Sequence, residues 1–182
     1  MKTLVTTLAI VGFMTAQSGF TGLWYRVDDK SDDPGPILEA TIAGFIQKMS
    51  RGRDTVEDAD PKFVKQLNET LDRFVQYAEE LYIERGRREL VVDDGGEDLR
   101  IYYLDGEKHE RQMQDGRRLE TKALATGNQI DVEMKTDDGA KVFETYELSS
   151  GNDELVLTVR FEDKQLKRPL VIRSVYARAD QN

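Results

Sequence analysis

Residues suited to acid–base or nucleophilic chemistry are scarce in this chain. His109 is the only histidine, and the lack of cysteine removes thiol nucleophiles and thiolate metal ligands. A general base normally needs a shielded position and an orienting partner, whereas His109 lies in the highly charged segment Glu107–Arg111. We therefore predict that His109 is solvated and that no residue is catalytic. An enzyme would instead need buried carboxylates that converge in a cleft.

Metal binding would have to rely on carboxylates, because a zinc site with one histidine and no cysteine is unfavourable. Asp28, Asp29, Asp32 and Asp33 bring four carboxylates into six residues, and calcium prefers such oxygen ligands. Their spacing differs from that of helix-loop-helix calcium sites, and aspartates beside proline and glycine usually form turns and caps. The sequence predicts a turn here, with calcium as the alternative, and no metal site or cofactor elsewhere.

Groups that could bind an anion lie close together near the C-terminus. An arginine and a tyrosine among Arg173, Tyr176 and Arg178 could hold a carboxylate or a phosphate. Alternatively, one arginine stacks on Trp24 through a cation–π contact, which contributes about 0.5–2 kcal/mol. The structural role is favoured, but Trp24, Arg173, Tyr176 and Arg178 are kept as the candidate ligand-binding residues.

Residues 1–18 have the pattern of a secretory signal peptide. Lys2 precedes the apolar run Leu4–Ala16, and Ala16 and Ser18 supply small residues for cleavage after Ser18. The apolar run is shorter than the about 20 residues that span a bilayer, and no cysteine could accept a lipid anchor. We expect an exported protein, periplasmic or extracellular in a bacterial envelope, with no transmembrane span after cleavage.

The expected mature chain, residues 19–182, is acidic. Loss of Lys2 would change the formal net charge from −9 to −10. Because such a surface repels phosphate groups, nucleic acid and anionic membranes are excluded as partners. The length suits a single domain, which must be stabilised by packing alone since disulfides are impossible.

Two amphipathic helices are predicted between about residues 36 and 85. Apolar residues between Ile37 and Met49 follow helical spacing and form one face. Asp60-Pro61 is a favourable second start, with an N-cap carboxylate before proline at the first helical position. The apolar stripe of this second helix continues through Leu81 and Tyr82 and ends before Gly86.

Strands are predicted before and after these helices. Gly19–Val27 is a short aromatic-rich run, and after residue 86 the turn-forming glycines 95, 106, 116, 127, 139 and 151 recur every 10 to 12 residues. Such spacing is typical of successive antiparallel strands in a barrel or sandwich. The fold class is therefore mainly β with helices: an antiparallel meander of about eight or nine strands. Residues 107–123 are charged on both faces, which indicates either an edge hairpin or the lining of a solvated cavity.

The order of a Gly22-x-Trp24 strand, two helices and a long meander resembles the calycin group of β-barrels. This group comprises the lipocalins and the intracellular fatty-acid-binding proteins. The resemblance implies that Trp24 plugs one end of a barrel and packs against a basic residue of the last strand, for which Arg173 and Arg178 are candidates. The chain is also similar to exported bacterial proteins that share the G-x-W start, an S-D-D-P segment (Ser31–Pro34) and the ending Pro169–Arg178; this likeness implies the fold and no activity.

In fatty-acid-binding proteins a helix pair after the first strand forms a lid, and an Arg-x-Tyr near the end holds the ligand carboxylate. This chain departs from that pattern. Arg173 and Tyr176 are three residues apart and point to opposite faces of a regular strand, and Tyr176-x-Arg178 reverses the order. The predicted helices are also much longer than a lid pair.

The sequence favours an exported, non-enzymatic binding protein for a small, partly apolar ligand held in a β-barrel. This interpretation rests on an analogy of fold. The alternative is an envelope structural or protein-interaction domain without a small-molecule ligand. It predicts an exposed apolar patch or an unpaired strand edge.

Overall fold

The structure is a computed structural model. It describes residues 19–50, 78–96, 99–112, 116, 118–137, 139–164, 166 and 168–179, and only the backbone of residues 45–50. The predicted signal peptide and the predicted helix start at Asp60-Pro61 lie outside the described residues.

Ten antiparallel strands form one sheet that curls into a nearly closed barrel. The strands are β1 (Gly22–Arg26), β2 (Glu80–Arg85), β3 (Glu89–Asp93), β4 (Arg100–Tyr103), β5 (Asp105–Gln112), β6 (Arg118–Thr126), β7 (Gln129–Thr136), β8 (Lys141–Leu148), β9 (Glu154–Glu162) and β10 (Leu170–Arg178). Their order is β4-β3-β2-β1-β10-β9-β8-β7-β6-β5. The gap in the barrel lies between the end strands β4 and β5, where the ring centroids of Tyr103 and His109 lie 4.6 Å apart.

The predicted count of eight or nine strands is wrong, and within the described residues one of the two predicted helices is present. Within the described ranges there are ten strands, one α-helix, α1 (Pro34–Ser50), and a 3₁₀ turn at Asp28–Lys30. The additional strand is β2, which occupies the predicted end of the second helix. There Leu81 and Ile83 are buried and Tyr82 is exposed, which is the two-residue period of a strand.

Pairing on both sides explains why β2 is extended. Its residues pair with β1 and with β3, so Tyr82 lies opposite both Leu23 and Asp93. A helix at this position would leave the backbone hydrogen-bonding groups of β1 unpaired, and buried backbone groups are costly when unpaired. Tertiary pairing therefore overrides the helical spacing of the apolar residues.

The strand before the helix and the meander after it are confirmed. Turn glycines adopt positive φ angles, as at Gly127 (61°), and Asn152 (58°) serves in place of Gly151 at the last turn. On the final strand Ile172 and Tyr176 point inward and Arg173 points outward, as predicted.

The charged segment at residues 107–123 is an edge hairpin. Strand β5 is the last strand in the sheet order and is exposed along most of its length, whereas β6 buries Leu119, Thr121 and Ala123. The charges of β5 therefore face water, which also discourages edge-to-edge association of sheets.

The core lies inside the barrel, where alternate residues of the strands meet. Helix α1 packs Ile37, Leu38 and Ile42 against this core and lies near Pro169, where β10 begins. We call this end of the barrel the helix end, and the opposite end, which holds Trp24, the tryptophan end. Among the described helices none is both long and apolar enough to cross a membrane.

Candidate ligand-binding site

A fully buried carboxylate, that of Glu144, lies at the centre of a polar cluster inside the barrel. Its side chain has no solvent exposure. Its Oε2 accepts hydrogen bonds from the hydroxyls of Tyr146 (2.7 Å) and Tyr102 (3.0 Å), and its Oε1 accepts one from Arg100 Nη1 (2.7 Å). Three donors, one of them charged, therefore replace the water that the carboxylate lost on burial.

Arg100 links this carboxylate to a second one. Its Nη2 lies 2.9 Å from Oδ2 of Asp94, at the end of β3. Burial alone would lower the pKa of Arg100, but Glu144, Tyr146, Tyr102 and Asp94 together outweigh burial and hold that pKa well above its usual range. The Nε atom of Arg100 is buried and has no hydrogen-bond partner in the structure. One N–H donor of the guanidinium is thus left for an acceptor.

The two tyrosines are fixed as neutral donors. Burial, reinforced by the negative charge of Glu144, raises the pKa values of Tyr102 and Tyr146 well above their usual range. The cluster consequently keeps its hydrogen-bonding pattern throughout the neutral pH range.

Strand geometry explains how four side chains from distant parts of the chain meet. Arg100 and Tyr102 alternate on β4, as Glu144 and Tyr146 do on β8, so each pair points to the same face of its strand. Curling of the sheet brings β4 across the interior from β8, although five strands lie between them in the sheet order. The cluster lies toward the helix end, because Arg100 is the first residue of β4 and this strand runs parallel to β10.

The sequence analysis missed this cluster. The alternation of residues along β8 could have revealed Glu144. It falls at every second position together with residues that are buried, namely Val142, Tyr146 and Leu148. A charged residue in phase with buried apolar ones predicts a buried charge with partners. Arg100-x-Tyr102 is similarly an alternating pair on a strand.

Two of the four candidate residues, Trp24 and Arg178, lie together at the tryptophan end. Trp24 is fully buried, and its Nε1 donates a hydrogen bond to Phe20 O (2.9 Å). The Arg178 guanidinium lies 4.2 Å from the Trp24 ring centroid and donates hydrogen bonds to the carbonyl oxygens of Thr21 (2.8 Å), Asn152 (3.2 Å) and Gly19. This geometry closes one end of the barrel through the cation–π contact that the sequence favoured.

Tyr176 and Arg173 are separated by the sheet. Tyr176 is buried in the interior, and burial raises its pKa to about 12, against the opposing influence of Arg100 and Arg26. Arg173 is on the outer face, where its backbone N–H donates to Asp32 Oδ2 (2.8 Å) and its Nη1 donates to Lys30 O (3.1 Å). Of the four candidates, Tyr176 is therefore the one placed near the interior cluster.

The other residues considered for chemistry have local partners. The ring nitrogen Nε2 of His109 lies 3.0 Å from Asp105 Oδ2 in the exposed edge hairpin. Asp32 and Asp33 accept hydrogen bonds from the backbone N–H groups of Arg173 and Gly35, as turn and cap residues do. In the part of the chain that the structure describes, no group of three acidic or histidine side chains could hold a metal ion.

Two cavities lie outside the packed core. A crevice of about 480 Å³ separates α1 from the loop before β10 and is lined by residues such as Ile37, Gly44 and Arg168. A groove of about 400 Å³ lies along β6–β10, and its lining residues, such as Phe143 and Arg160, belong mostly to the face opposite the buried one. The crevice is at the helix end, toward which the Glu144 cluster lies, so we regard it as the more relevant cavity.

Solved structures with a similar fold include proteins described as binding lipids or fatty acids. Apo lipid binding protein 8 of Caenorhabditis elegans is 11% identical, with 91% of this chain and 99% of that chain covered at a TM-score of 0.51. A Schistosoma mansoni fatty acid binding protein in complex with arachidonic acid is 12% identical, with 90% and 98% covered at 0.50. The REP1-NXSQ fatty acid transporter is 14% identical, with 89% and 97% covered at 0.50.

Neither a family model nor a curated protein matches the chain. At such low identities the structural likeness concerns the fold alone. The chain has a nearly closed, ten-stranded antiparallel barrel with the fold of these lipid-binding and fatty-acid-binding proteins. The fold that the order of sequence elements implied is confirmed.

Proposed function

We propose that this protein is an exported, non-enzymatic binding protein that holds a small, partly apolar molecule inside its barrel. The observation that carries the proposal is the Glu144–Arg100 cluster, a charged and hydrogen-bonded group enclosed by a largely apolar interior. Binding sites for small molecules commonly combine apolar walls with a few convergent polar groups. The fold supports the proposal, since similar structures include proteins described as binding or transporting fatty acids.

The two ends of the barrel fit this function in different ways. Trp24 and Arg178 close the tryptophan end through the cation–π contact and the hydrogen bonds of the guanidinium. At the helix end, a crevice lies between α1 and the loop before β10, and we infer that it is the entry point for the ligand. A ligand would enter there and place its polar group near Arg100 and its apolar part along the barrel wall.

Native mass spectrometry of protein purified from a bacterial host tests the proposal. We expect an additional mass of a few hundred daltons at one copy per chain, and we expect that delipidated protein regains stability when a matching ligand is added. Ala123→Phe, which fills the interior, should reduce binding, whereas Leu124→Phe on the outer face of β6 should not. Absence of both a retained mass and any ligand-dependent rise in Tm would refute the proposal.

The exported location rests on residues 1–18 alone. We expect the protein in the periplasm or the medium, with Gly19 as its first residue. Cell fractionation followed by N-terminal sequencing tests this expectation, and a cytoplasmic protein that starts at Met1 would contradict it.

A specific surface favours the alternative of a protein-interaction domain. Strand β4 is an end strand of the sheet, and its outer face exposes Ile101 (42%) and Tyr103 (46%), with Leu99 (52%) just before it. An apolar strand edge of this kind can pair with another chain. If the protein acts through this edge, Ile101→Lys will abolish in-cell crosslinks to a partner while Val171→Lys on β10 will preserve them. Identical crosslinking patterns for both variants would remove the support for this alternative.

A further inference from the structure

The charges of the interior cluster are already matched to one another. Arg100 contacts two carboxylates, those of Glu144 and Asp94. The other arginine of the interior, Arg26, has a side chain that is only 7% exposed and is paired with Asp28. Among the described residues each of these buried guanidinium groups already has a carboxylate partner, and Arg100 has two, so Arg100 offers no surplus positive charge.

A ligand carboxylate would be unfavourable in this environment. It would add a third negative charge around Arg100, close to Glu144, and like charges a few ångströms apart repel strongly where water is excluded. The neutral hydroxyls of Tyr102 and Tyr146 could not relieve this repulsion, because both already donate to Glu144 Oε2. Arg111, whose positive charge also acts on Tyr102, is an exposed residue of the end strand β5 and, among the described residues, forms no ion pair with Glu144 or Asp94.

One donor in the cluster nevertheless has no acceptor. Arg100 Nη1 and Nη2 are occupied by Glu144 and Asp94, while Nε is buried without a hydrogen-bond partner in the structure. A buried, unsatisfied donor destabilises a protein, and an acceptor that removes the penalty gains affinity. A neutral oxygen atom would satisfy this N–H without adding charge.

We propose that the polar end of the ligand is an uncharged oxygen acceptor, such as a hydroxyl, carbonyl or ester group, that accepts a hydrogen bond from Arg100 Nε. The ligand class is accordingly a neutral amphiphile, and a free fatty acid is selected against. This inference rests on the proposed binding function and specifies the chemistry of its site. Glu144 and Asp94 are specificity-determining residues, since their negative charges neutralise Arg100.

A ligand series with one chain length tests the inference. Delipidated protein is titrated by calorimetry at pH 8 with oleyl alcohol, methyl oleate, oleate and 1-octadecene, each below its aggregation limit. We expect the alcohol and the ester to bind at least about tenfold more tightly than oleate, and the alcohol more tightly than the hydrocarbon. In Glu144→Gln, one negative charge is removed, and the ratio of oleate affinity to alcohol affinity should rise about tenfold.

Matched variants separate charge from packing. Glu147→Gln, on the exposed face of β8, should leave all four affinities unchanged. Asp94→Asn is the second charge variant, because Asp94 is 22% exposed and tolerates substitution better if Glu144→Gln fails to fold. Arg100→Lys removes the Nε donor and keeps the positive charge, so it should abolish the preference for the alcohol over the hydrocarbon.

The outcomes distinguish this inference from the proposed function. If oleate binds wild-type protein more tightly than the alcohol, and neither charge variant raises the affinity for oleate, the inference is overturned and the binding function stands. If none of the four compounds binds, and native mass spectrometry shows no retained molecule, both fail.

Discussion

The Glu144 carboxylate can be buried because Arg100, Tyr102 and Tyr146 donate hydrogen bonds that replace those of water in the unfolded chain. Removing such a carboxylate while its partner stays is more damaging than removing the pair, since Arg100 would then hold an uncompensated buried charge on that side. The two tyrosine hydroxyls would lose their acceptor as well. The cluster therefore acts as one unit in which each member depends on the others.

We predict that Glu144→Ala lowers the free energy of unfolding by about 3–5 kcal/mol, the cost of breaking a buried ion pair. Equilibrium urea denaturation measures the effect. Glu147→Ala is the control, because its side chain is exposed on the same strand, and it should change stability by less than about 0.5 kcal/mol. A loss below about 1 kcal/mol for Glu144→Ala would show that the carboxylate is not held as described.

Substitution of Arg178 tests whether the tryptophan end of the barrel stabilises the fold without binding the ligand. Its cation–π contact with Trp24 and its hydrogen bonds to backbone carbonyls should together contribute about 2–3 kcal/mol. Arg178→Ala is therefore expected to lower stability by that amount in urea denaturation and to leave ligand affinity within about threefold of wild type. Arg173→Ala, on the outer face, should cost less than about 1 kcal/mol. A selective loss of ligand affinity in Arg178→Ala would instead make Arg178 a binding residue.

At the scale of elements, β2 is the place where local pattern and tertiary structure disagree. On the predicted helix, Leu81 and Tyr82 belong to the apolar stripe and Ile83 lies outside it. On the strand, Ile83 is fully buried and Tyr82 is 48% exposed. Substitutions at these two adjacent residues therefore give opposite results in the two structures.

We predict that Ile83→Ala lowers the free energy of unfolding by about 2–4 kcal/mol, because it removes a fully buried side chain. Tyr82→Ala should cost less than about 1 kcal/mol by the same urea measurement. A larger loss of stability for Tyr82→Ala than for Ile83→Ala would indicate a helix at this position.

Local signals explain which elements the sequence could predict. The strands from β7 to β10 have tight glycine turns and strict alternation, and both features are encoded within about ten residues of chain. Strand β2 has only six residues, and its apolar positions fit a helix and a strand equally well. What makes it extended is pairing with β1, which lies more than fifty residues away in sequence.

The candidate site was harder to predict for the same reason. Tyr176 was identified because it lies beside a recognisable ending, and Trp24 because it belongs to a G-x-W strand. The contact between Arg100 and Glu144 joins residues 44 apart and forms only when the sheet curls. A sequence can show that Glu144 is in phase with buried residues, but its partner follows from the closure of the barrel.

At the scale of the whole molecule, the barrel encloses several ionisable groups that must keep one protonation state. Tyr102, Tyr146 and Tyr176 all point into the interior, and burial raises the pKa of each, to about 12 for Tyr176. A tyrosine in the unfolded chain has a pKa near 10. The folded state therefore binds protons that the unfolded state releases once the pH exceeds about 10.

The sign of the resulting pH dependence is fixed by this difference. Below about pH 10 the tyrosines are neutral in both states, and their contribution to stability is complete. Above that value the unfolded state binds fewer protons than the folded state, so the free energy of unfolding falls as the pH rises. Each tyrosine that stays neutral adds a slope of about 1.4 kcal/mol per pH unit.

We predict that the free energy of unfolding falls steeply from pH 10 to pH 11, by about 3 kcal/mol if all three tyrosines stay neutral in the folded state, since the unfolded phenols are about half ionised at pH 10. Urea denaturation at pH 9, 10, 10.5 and 11 measures the slope, and absorbance at 295 nm reports tyrosine ionisation. Tyr176→Phe should reduce the slope by about one third, since one of three buried phenols is removed. Tyr25→Phe, at an exposed position of β1, should leave the slope unchanged. Equal slopes for wild type and Tyr176→Phe would mean that Tyr176 ionises as readily in the folded barrel as in the unfolded chain. This result would contradict the burial of Tyr176 in the barrel.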